Sequence, residues 1–254
     1  MFSLKGKIAV ITGAGSGIGR AIATLLAEQG AIVHVIEVDE DAAKETVRLV
    51  GDLGGKGFLH ICDVSNQSAV LETFKKIDKI DILINNAGIA HIGTAENTNE
   101  ADFDRICQIN IKGVYNCLHA CIPQMKKHGG GRILNMASIA ATVGLQDRFA
   151  YSMSKAAVLN MTLTVAKDFI KDNITCNSIS PARIHTPFVD GYLAKNFPDN
   201  QREMFQKLSN TQPIGRMAQP KEIAGLVLYL CSDEAQFITG TDYPIDGGFI
   251  KLNS

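Results

Sequence analysis

Apolar runs typical of buried β-strands alternate with helical segments along almost the whole chain, which limits the folds open to it. The predicted strands are Lys7–Thr12, Ile32–Val38, Gly57–Val64, Ile80–Asn85, Gly131–Ala137, Ile174–Ser180 and a last one near Thr241–Ile245. The predicted helices are Gly17–Gln29, Asp41–Val50, Gln67–Ile77, Asp102–Lys127, Tyr151–Lys171 and Pro220–Ser232. This alternation predicts an α/β fold, a doubly wound parallel sheet of about seven strands with helices on both faces.

In such a sheet, ligands bind outside the carboxyl ends of the strands, so residues that follow strands are the first candidates for a site.

Within the fourth predicted helix, Pro123 should cause a kink or a break, because proline offers no N–H to the helix.

Composition indicates a single unit that binds small molecules. The 254 residues contain no Pro/Ser-rich linker and no charge run, which predicts one domain over residues 1–254. A formal charge of −1 offers nothing to nucleic acid or to an anionic membrane, so we expect a small molecule or other subunits as partners. Met1 to Val10 lacks an apolar signal-like core and no long apolar run follows, which predicts a cytoplasmic protein.

The cysteines and histidines show no metal-binding pattern. No C-x-x-C, H-x-x-x-H or H-E-x-x-H occurs, and Cys117 and Cys121 beside His119 have only helical spacing. We therefore predict buried thiols and no metal. The cysteines are Cys62, Cys107, Cys117, Cys121, Cys176 and Cys231.

A glycine-rich turn, Thr12 to Gly19, joins the first predicted strand to the first predicted helix. It does not match G-x-G-x-x-G, but Gly13, Gly17 and Gly19 fit G-x-x-x-G-x-G. Glycines let the backbone turn tightly and approach a pyrophosphate, whose charge is met by N–H groups at the helix N-terminus. The turn therefore predicts dinucleotide binding.

Glu37 stands at the end of the second predicted strand. A carboxylate there can accept hydrogen bonds from both ribose hydroxyls of an adenosine and repels a 2′-phosphate. Ser16 and Val38 provide no cation for that phosphate, whereas Arg20 is near enough in sequence to provide one. The pattern favours NAD and leaves NADP open.

Tyr151 and Lys155 lie four residues apart on a predicted helix and therefore share one face. A phenol with a pKa near ~10 must be shifted by roughly 2–3 units to exchange protons near neutrality, and a nearby ammonium favours its phenolate. The pair indicates a tyrosine that carries protons, with an ordinary surface pair as the alternative reading.

These motifs resemble, in order and spacing, those of the short-chain dehydrogenase/reductase family, and the resemblance covers essentially the whole chain. It implies a Rossmann-like dinucleotide-binding and catalytic domain and an oxidoreductase acting on CH–OH groups. The catalytic residues that it implies are Asn110, Ser138, Tyr151 and Lys155. The cofactor contacts that it implies are Gly13, Ser16, Gly17, Ile18, Gly19, Glu37, Asp63, Val64, Asn86, Ala87, Gly88, Tyr151, Lys155, Pro181, Ile184 and Thr186.

The resemblance also implies a role for each catalytic residue. Tyr151 would be general base toward an alcohol or general acid toward a ketone, and Lys155 would lower its pKa and bind the nicotinamide ribose. Ser138 would hydrogen-bond the reacting oxygen, and Asn110 would hold a water that links Lys155 to solvent. One position departs from the family pattern, because Pro181 is followed by Ala182 instead of glycine. The geometry of that loop is therefore in doubt if residue 182 needs a positive φ.

The residues expected to line the substrate pocket are polar, which predicts a polyhydroxylated or carboxylated substrate. They are His91, Gln146, Arg148, Arg183 and His185. Arg148 could bind a carboxylate through both guanidinium edges, or could point to solvent. The chain also resembles bacterial family members that act on sugars and deoxy sugar acids, which predicts an enzyme of carbohydrate metabolism.

Two other functions stay open at this stage. A 3-oxoacyl-[acyl-carrier-protein] reductase would have the same catalytic residues but would favour NADPH, against which Glu37 argues. A non-enzymatic dinucleotide sensor would have no use for Tyr151 together with Lys155. The resemblance also implies a homotetramer, formed through the helices predicted at Asp102–Lys127 and Tyr151–Lys171 and through the last strand with its Gly247-Gly248 turn.

Overall fold

A computed structural model describes residues 1–252 and contains the predicted seven-stranded parallel sheet. The strands are β1 Ile8–Thr12, β2 Ile32–Glu37, β3 Lys56–Ile61, β4 Ile82–Asn85, β5 Gly131–Met136, β6 Ile174–Pro181 and β7 Asp242–Ile245. Their order in the sheet is β3-β2-β1-β4-β5-β6-β7, and every neighbouring pair is parallel. The strand order reverses between β1 and β4, so a crevice opens where the chain leaves these two strands.

Ten α-helices occur within the described residues. They are α1 Gly17–Glu28, α2 Glu40–Asp52, α3 Gln67–Lys75, α4 Glu100–Ile106, α5 Gly113–Lys127, α6 Phe149–Phe169, α7 Pro187–Asn196, α8 Gln201–Ser209, α9 Pro220–Cys231 and α10 Phe249–Leu252. None of these helices combines the length and the apolar character needed to span a bilayer.

The sheet separates two apolar cores because successive side chains of a strand point to opposite faces. On β1, Ala9 and Ile11 pack into one core with α1 and α9, whereas Val10 packs into the other with α3, α5 and α6. Helices therefore cover both faces, as predicted. Of the six cysteines, Cys107 alone is partly exposed and the other five are buried and unpaired.

The fourth predicted helix is not continuous. A π-helical segment, Cys107–Lys112, separates α4 from α5. Pro123 does not break the helix, contrary to one of the two predicted outcomes, because α5 continues through it to Lys127. The irregularity lies instead around Asn110, whose side chain bonds to the backbone of a neighbouring loop.

The sequence pattern did not reveal α7 and α8. The residues of α7 were expected to belong to a loop from Arg183 to about Phe197, and no element was predicted for those of α8 or α10. Elsewhere the element boundaries differ by only a few residues from the predicted ones, as is usual at fraying ends.

Candidate active site

The glycine-rich turn is shaped by the segment that packs against it. Gly13 has a φ of 63°, and a Cβ on it would lie 2.8 Å from the Cα of Ala87. A Cβ on Gly19 would collide with the carbonyl oxygen of Gly13 and lie 2.6 Å from Nδ2 of Asn86. Both positions require glycine because the turn after β1 lies directly against the loop after β4.

The start of α1 is open to an anion. Ser16 precedes the helix in an extended conformation and makes no capping hydrogen bond, and the first turn contains no acidic residue. The first N–H groups and the positive end of the helix dipole are therefore free of a competing side chain. A Cβ on Gly17 would lie 3.4 Å from Cγ2 of Thr186, so the turn and the segment after β6 form a narrow groove. This crevice suits the pyrophosphate of a dinucleotide.

Glu37 lies against the same turn at the carboxyl end of β2. Its Oε2 accepts a hydrogen bond from the N–H of Gly15 at 2.9 Å, and its Oε1 accepts one from the N–H of Val38 at 2.8 Å. A Cβ on Gly15 would lie 2.8 Å from Cγ of Glu37, so this glycine makes room for the carboxylate. The negative charge is thereby fixed at the edge of the crevice.

Arg20 is already engaged by protein acceptors. Its Nε donates to Oγ1 of Thr46 at 3.1 Å, and its Nη2 donates to the carbonyl oxygen of Gly15. Thr46 in turn donates to the carbonyl oxygen of Ala14 at 2.9 Å. Arg20 therefore ties the turn to α2, and this use competes with any contact to a phosphate.

A threonine that sequence reasoning missed holds the two loops of the crevice together. Oγ1 of Thr12 accepts hydrogen bonds from the N–H groups of Asn86 and Ala87 at 3.1 and 3.0 Å. Nδ2 of Asn86 donates to the carbonyl oxygens of Thr12 and Gly13 at 3.0 and 2.9 Å. The T-G start of the motif was visible in the sequence, but the distant partner of the hydroxyl was not.

Asn110 lies in the π-helical segment, buried beside α6. Its Oδ1 accepts a hydrogen bond from the N–H of Ile89 and its Nδ2 donates to the carbonyl of Ile89, both at 2.9 Å. The same Nδ2 donates to Oγ of Ser154 at 3.0 Å, and Ser154 donates to the carbonyl oxygen of Tyr151 at 2.7 Å. Asn110 thus joins the loop after β4 to α6 close to Tyr151.

Tyr151 and Ser138 come together as predicted from the sequence. Ser138 follows β5 and accepts a hydrogen bond from the N–H of Ala140 at 3.2 Å. Burial raises the pKa of Tyr151, while a hydrogen bond to Ser138 and the charge of Arg148 act to lower it. The pKa of Tyr151 is therefore raised overall, whereas the sequence predicted that it would be lowered, because the cost of burying the phenolate outweighs these two effects.

Lys155 is buried next to Tyr151, with its Nζ 5.9 Å from the centre of the tyrosine ring. Its Nζ donates to the carbonyl oxygen of Met136 at 2.7 Å, and burial lowers its pKa to about 8. A Cβ on Gly88 would lie 3.5 Å from this Nζ and 3.2 Å from Oδ1 of Asn110. Gly88 therefore leaves the space that the side chain of Lys155 needs.

Asn85, which belongs to the Asn85–Gly88 motif after β4, is joined to two polar residues that were not singled out from the sequence, Asn135 and Thr162. Asn85 donates to Oδ1 of Asn135 at 2.8 Å, and Nδ2 of Asn135 donates to Oγ1 of Thr162 at 2.9 Å. This buried chain connects β4, β5 and α6, and so fixes the helix that carries Tyr151 relative to the sheet. In the sequence alone, Asn135 and Thr162 resemble ordinary strand and helix positions.

The remaining predicted cofactor residues line the same edge of the sheet. Asp63 is exposed and accepts a hydrogen bond from the N–H of Ser65 at 2.9 Å, while Val64 is buried. Ile184, buried after β6, pairs with Ala218. Pro181 is the last residue of β6, and Ile18 packs on the core beneath α1. Ala182 does not have a positive φ, because the non-glycine residues with one within residues 1–252 are Phe2, Asp147 and Asn173. The alanine that replaces the family's glycine therefore causes no backbone strain.

The predicted substrate residues divide into two groups. Arg148 donates to the carbonyl oxygen of His91 at 3.2 Å, and its charge reaches both Tyr151 and Arg183. His185 is instead paired with Asp190 at 2.8 Å, and Gln146 is exposed. The charge of Arg148 therefore acts on both Tyr151 and Arg183, whereas His185 is engaged by Asp190 and Gln146 faces solvent.

No group of three or more His, Cys, Asp or Glu side chains within residues 1–252 is arranged to hold a metal ion.

Comparison with known proteins places the whole chain beside one group of enzymes. Residues 13–250 match the family model described as Enoyl-(Acyl carrier protein) reductase. An uncharacterized oxidoreductase of Thermotoga maritima is 38% identical over 97% of this chain and 98% of its own length. Dehydrogenase/reductase SDR family member 6 of Rattus norvegicus is 36% identical over 98% of this chain and 99% of its own length. A 3-oxoacyl-[acyl-carrier-protein] reductase of Thermotoga maritima is 35% identical over 97% of this chain and 99% of its own length.

Solved structures give the same result and include cofactor complexes. L-sorbose reductase from Gluconobacter frateurii, solved with NADPH and L-sorbose, superimposes with a TM-score of 0.94 at 31% identity over 99% of both chains. An NAD⁺-bound xylitol dehydrogenase superimposes with a TM-score of 0.89 at 32% identity over 96% of this chain and 99% of that chain.

Proposed function

This chain belongs to the short-chain dehydrogenase/reductase family, whose members are oxidoreductases acting on CH–OH groups, and we propose that it interconverts a secondary alcohol and a ketone of a small polar substrate with NAD. The substrate is a sugar or a sugar acid, and Tyr151 is the general base in oxidation and the general acid in reduction. The observation that carries the proposal is the convergence of Tyr151, Ser138 and Lys155 at the carboxyl edge of the sheet.

The cofactor fits the residues that surround the crevice. A nicotinamide dinucleotide bound there supplies the hydride acceptor for oxidation and the hydride donor for reduction. The uncapped N-terminus of α1 holds the pyrophosphate, and Gly13 and Gly17 let it approach the backbone. Pro181, Ile184 and Thr186 line the opposite side, where the nicotinamide end of the molecule binds.

Glu37 favours NAD over NADP because its carboxylate is fixed where the adenosine ribose binds. A 2′-phosphate there would face a negative charge, and Arg20 is committed to Thr46 and Gly15 instead of being free to compensate. Asp63 and Val64, at the end of the neighbouring strand, contact the adenine. Asn86, Ala87 and Gly88 form the floor of the crevice.

The protein residues manage the proton. In oxidation, the Tyr151 phenolate takes the hydroxyl proton of the substrate, and Ser138 donates a hydrogen bond to the same oxygen as the carbonyl forms. Burial raises the pKa of Tyr151, and charged Lys155, with its Nζ 5.9 Å from the centre of the tyrosine ring, acts in the opposite direction by favouring the phenolate. Lys155 also binds the ribose hydroxyls. Both N–H donors of the Asn110 side chain are used by Ile89 and Ser154, so a water that relays protons to Lys155 is bound at this residue by an oxygen acceptor, Oδ1 or the main-chain carbonyl.

The identity of the substrate is supported by the polar lining and by the neighbours. His91, Arg148 and Arg183 offer hydrogen-bond donors that a steroid or a long acyl chain would leave unpaired. Two of the structures that resemble this chain are named for action on L-sorbose and on xylitol, which are polyhydroxylated. These observations favour a substrate with several hydroxyl groups or a carboxylate.

The relative named 3-oxoacyl-[acyl-carrier-protein] reductase supports one alternative, reduction of an acyl-carrier substrate with NADPH. Glu37 argues against that choice of cofactor. A sensor that only binds the dinucleotide is the other alternative, and the arrangement of Tyr151 with Ser138 argues against it.

The proposal is tested by following the formation of reduced nicotinamide with NAD and with NADP over a panel of sugars, polyols, aldonic acids and hydroxy acids. We expect turnover on polyhydroxylated substrates and a preference for NAD. Faster use of NADPH than NADH at equal concentration, together with reduction of a 3-oxoacyl thioester, would move the function to the acyl-carrier reductase. No turnover with any substrate and either cofactor would favour the sensor.

A further inference from the structure

Two arginines near the catalytic tyrosine lack an acidic partner. Within residues 1–252, neither Arg148 nor Arg183 forms an ion pair, although both side chains are partly buried. Arg148 donates to the carbonyl oxygen of His91 after β4, and Arg183 follows β6, so both belong to the carboxyl edge of the sheet. Burial lowers the pKa of Arg183, and the charge of Arg148 lowers it further. Like charges held together in a partly dry site are stabilised by an anion that binds between them.

The protein holds Arg148 in place from both sides. Its neighbours Asp147 and Phe149 are hydrogen-bonded to Gly93, whose N–H donates to Asp147 at 2.9 Å and whose carbonyl accepts from Phe149 at 3.0 Å. Asp147 adopts a left-handed φ of 56°, a conformation that few non-glycine residues take without a constraint. The turn before α6 is therefore built to direct the residue that follows Asp147.

Arg183 is oriented by a different set of contacts. Its Nε donates to Oγ1 of Thr211 at 2.9 Å, and Thr211 donates to the carbonyl oxygen of Leu208 at 2.7 Å. The carbonyl of Arg183 accepts from the N–H of Ala218 at 3.0 Å. Neither Nη group of Arg183 has an acceptor among the described residues, so the planar edge of the guanidinium is available.

We propose that Arg148 and Arg183 form a carboxylate-binding subsite beside the catalytic tyrosine, so that the enzyme acts on a hydroxy acid or keto acid instead of a neutral sugar. Guanidinium groups match the planar geometry of a carboxylate and form charge-assisted hydrogen bonds with it. Arg148 lies three residues before Tyr151, and Arg183 follows β6 at the same edge of the sheet. The carboxylate is thus held near the reacting carbon, which selects for acids over the corresponding polyols.

This inference rests on the proposed dehydrogenase function, and matched substrates separate the two. An aldonate and the alditol of the same configuration, such as D-gluconate and D-glucitol, share their secondary alcohols and differ in the terminal carboxylate. Four such pairs are compared by kcat/KM with NAD. We expect the aldonate of at least one pair to be preferred by about 30- to 100-fold, the value of a charge-assisted contact.

Variants then assign the preference to the arginines. Arg148→Gln and Arg183→Gln should each lower kcat/KM for the preferred aldonate by about 30-fold or more, mainly through KM, and change that for the alditol by less than about threefold. Arg183→Lys should recover part of the loss because it keeps the charge. Arg202→Gln, which removes an exposed arginine of α8, is the matched control and should behave as the unaltered enzyme.

Oxalate provides a readout without turnover, because it carries carboxylates and has no oxidisable carbon–hydrogen bond. At constant ionic strength it should raise the melting temperature of the unaltered protein and of Arg202→Gln, but not that of the Arg148→Gln/Arg183→Gln double variant. Equal stabilisation of the double variant, or turnover of alditols as fast as aldonates in every pair, would overturn the subsite while leaving the dehydrogenase function standing. Absence of turnover on every substrate would contradict the function itself, and oxalate would still decide the subsite.

Discussion

Lys155 carries a charge in surroundings that disfavour it. Burial lowers its pKa to about 8 from 10.5, and its Nζ has one protein acceptor, the carbonyl of Met136. The native state therefore binds this proton less tightly than the unfolded chain does. The charge lowers stability at pH values below about 8, and stability recovers as the pH rises from there toward the pKa of the unfolded lysine.

Replacing this lysine should therefore make the protein more stable and inactive. A shift of this size corresponds to roughly 3 kcal/mol, of which the lost hydrogen bond to Met136 offsets about 1 kcal/mol. We expect Lys155→Met to melt about 2–6 °C higher than the unaltered protein at pH 7, with the difference shrinking toward pH 10. Thermal unfolding followed by circular dichroism at several pH values measures this. A variant that melts lower at pH 7 would show that the lysine is stabilised by contacts beyond those described.

Contacts between functional residues were predictable from the sequence where the two residues lie close together in the chain. Tyr151 and Lys155 share a helix face, so their proximity followed from the four-residue interval. The bonds from Thr12 to Asn86 and from Arg148 to His91 join residues far apart in the chain, and nothing in their local sequence marks the partner. The pKa of Tyr151 was predicted in the wrong direction because burial of the phenol cannot be read from a motif.

The elements of the sheet were predictable because strands buried on both faces are apolar at almost every position. All seven predicted strands are present, with ends that differ by a few residues. The π-helical segment was not predictable, because it depends on Asn110 bonding to the loop after β4. The helices α7 and α8 were missed because both are short and mainly exposed, and α8 has only Met204, Phe205 and Leu208 as apolar positions.

The glycines of the elements can be tested as a matched pair. Gly19 at the start of α1 has no space for a Cβ, whereas Gly51 in α2 is exposed and has no atom within 4 Å of where its Cβ would be. Gly19→Ala should weaken dinucleotide binding at least tenfold and destabilise the fold. Gly51→Ala should stabilise the helix by about 0.5–1 kcal/mol and leave binding unchanged. Isothermal titration with NAD and chemical unfolding measure both effects, and equal behaviour of the two variants would contradict the packing described for the turn.

At the scale of the whole molecule, we propose that the chain works as a homotetramer. Apolar side chains remain exposed on the helices predicted to pair subunits, with Tyr115 on α5 46% exposed and Leu163 on α6 52% exposed. Phe237, shortly before β7, is also fully exposed. Surfaces of this kind are costly to leave in water and are typical of contacts between subunits.

Light scattering of the purified protein should give a mass near 110 kDa, about four times the 27.4 kDa of one chain. Leu163→Asp should reduce the mass to that of a dimer or a monomer. Leu53→Asp, which alters a leucine of similar exposure outside the proposed contacts, should leave the tetramer intact. A monomer at micromolar concentration would contradict the assembly and would leave the apolar faces without an explanation.

If the Tyr151 phenol transfers the proton of the reaction, removing its hydroxyl group should abolish most of the turnover. Turnover and NAD affinity are measured for Tyr151→Phe, with Tyr229→Phe on α9, where the ring packs against Phe2, as the control. We expect kcat to fall by about 10²–10⁴-fold, while the Kd for NAD stays within about threefold because Lys155 still binds the ribose. A Tyr151→Phe enzyme that retains more than about a tenth of the original turnover would contradict the account.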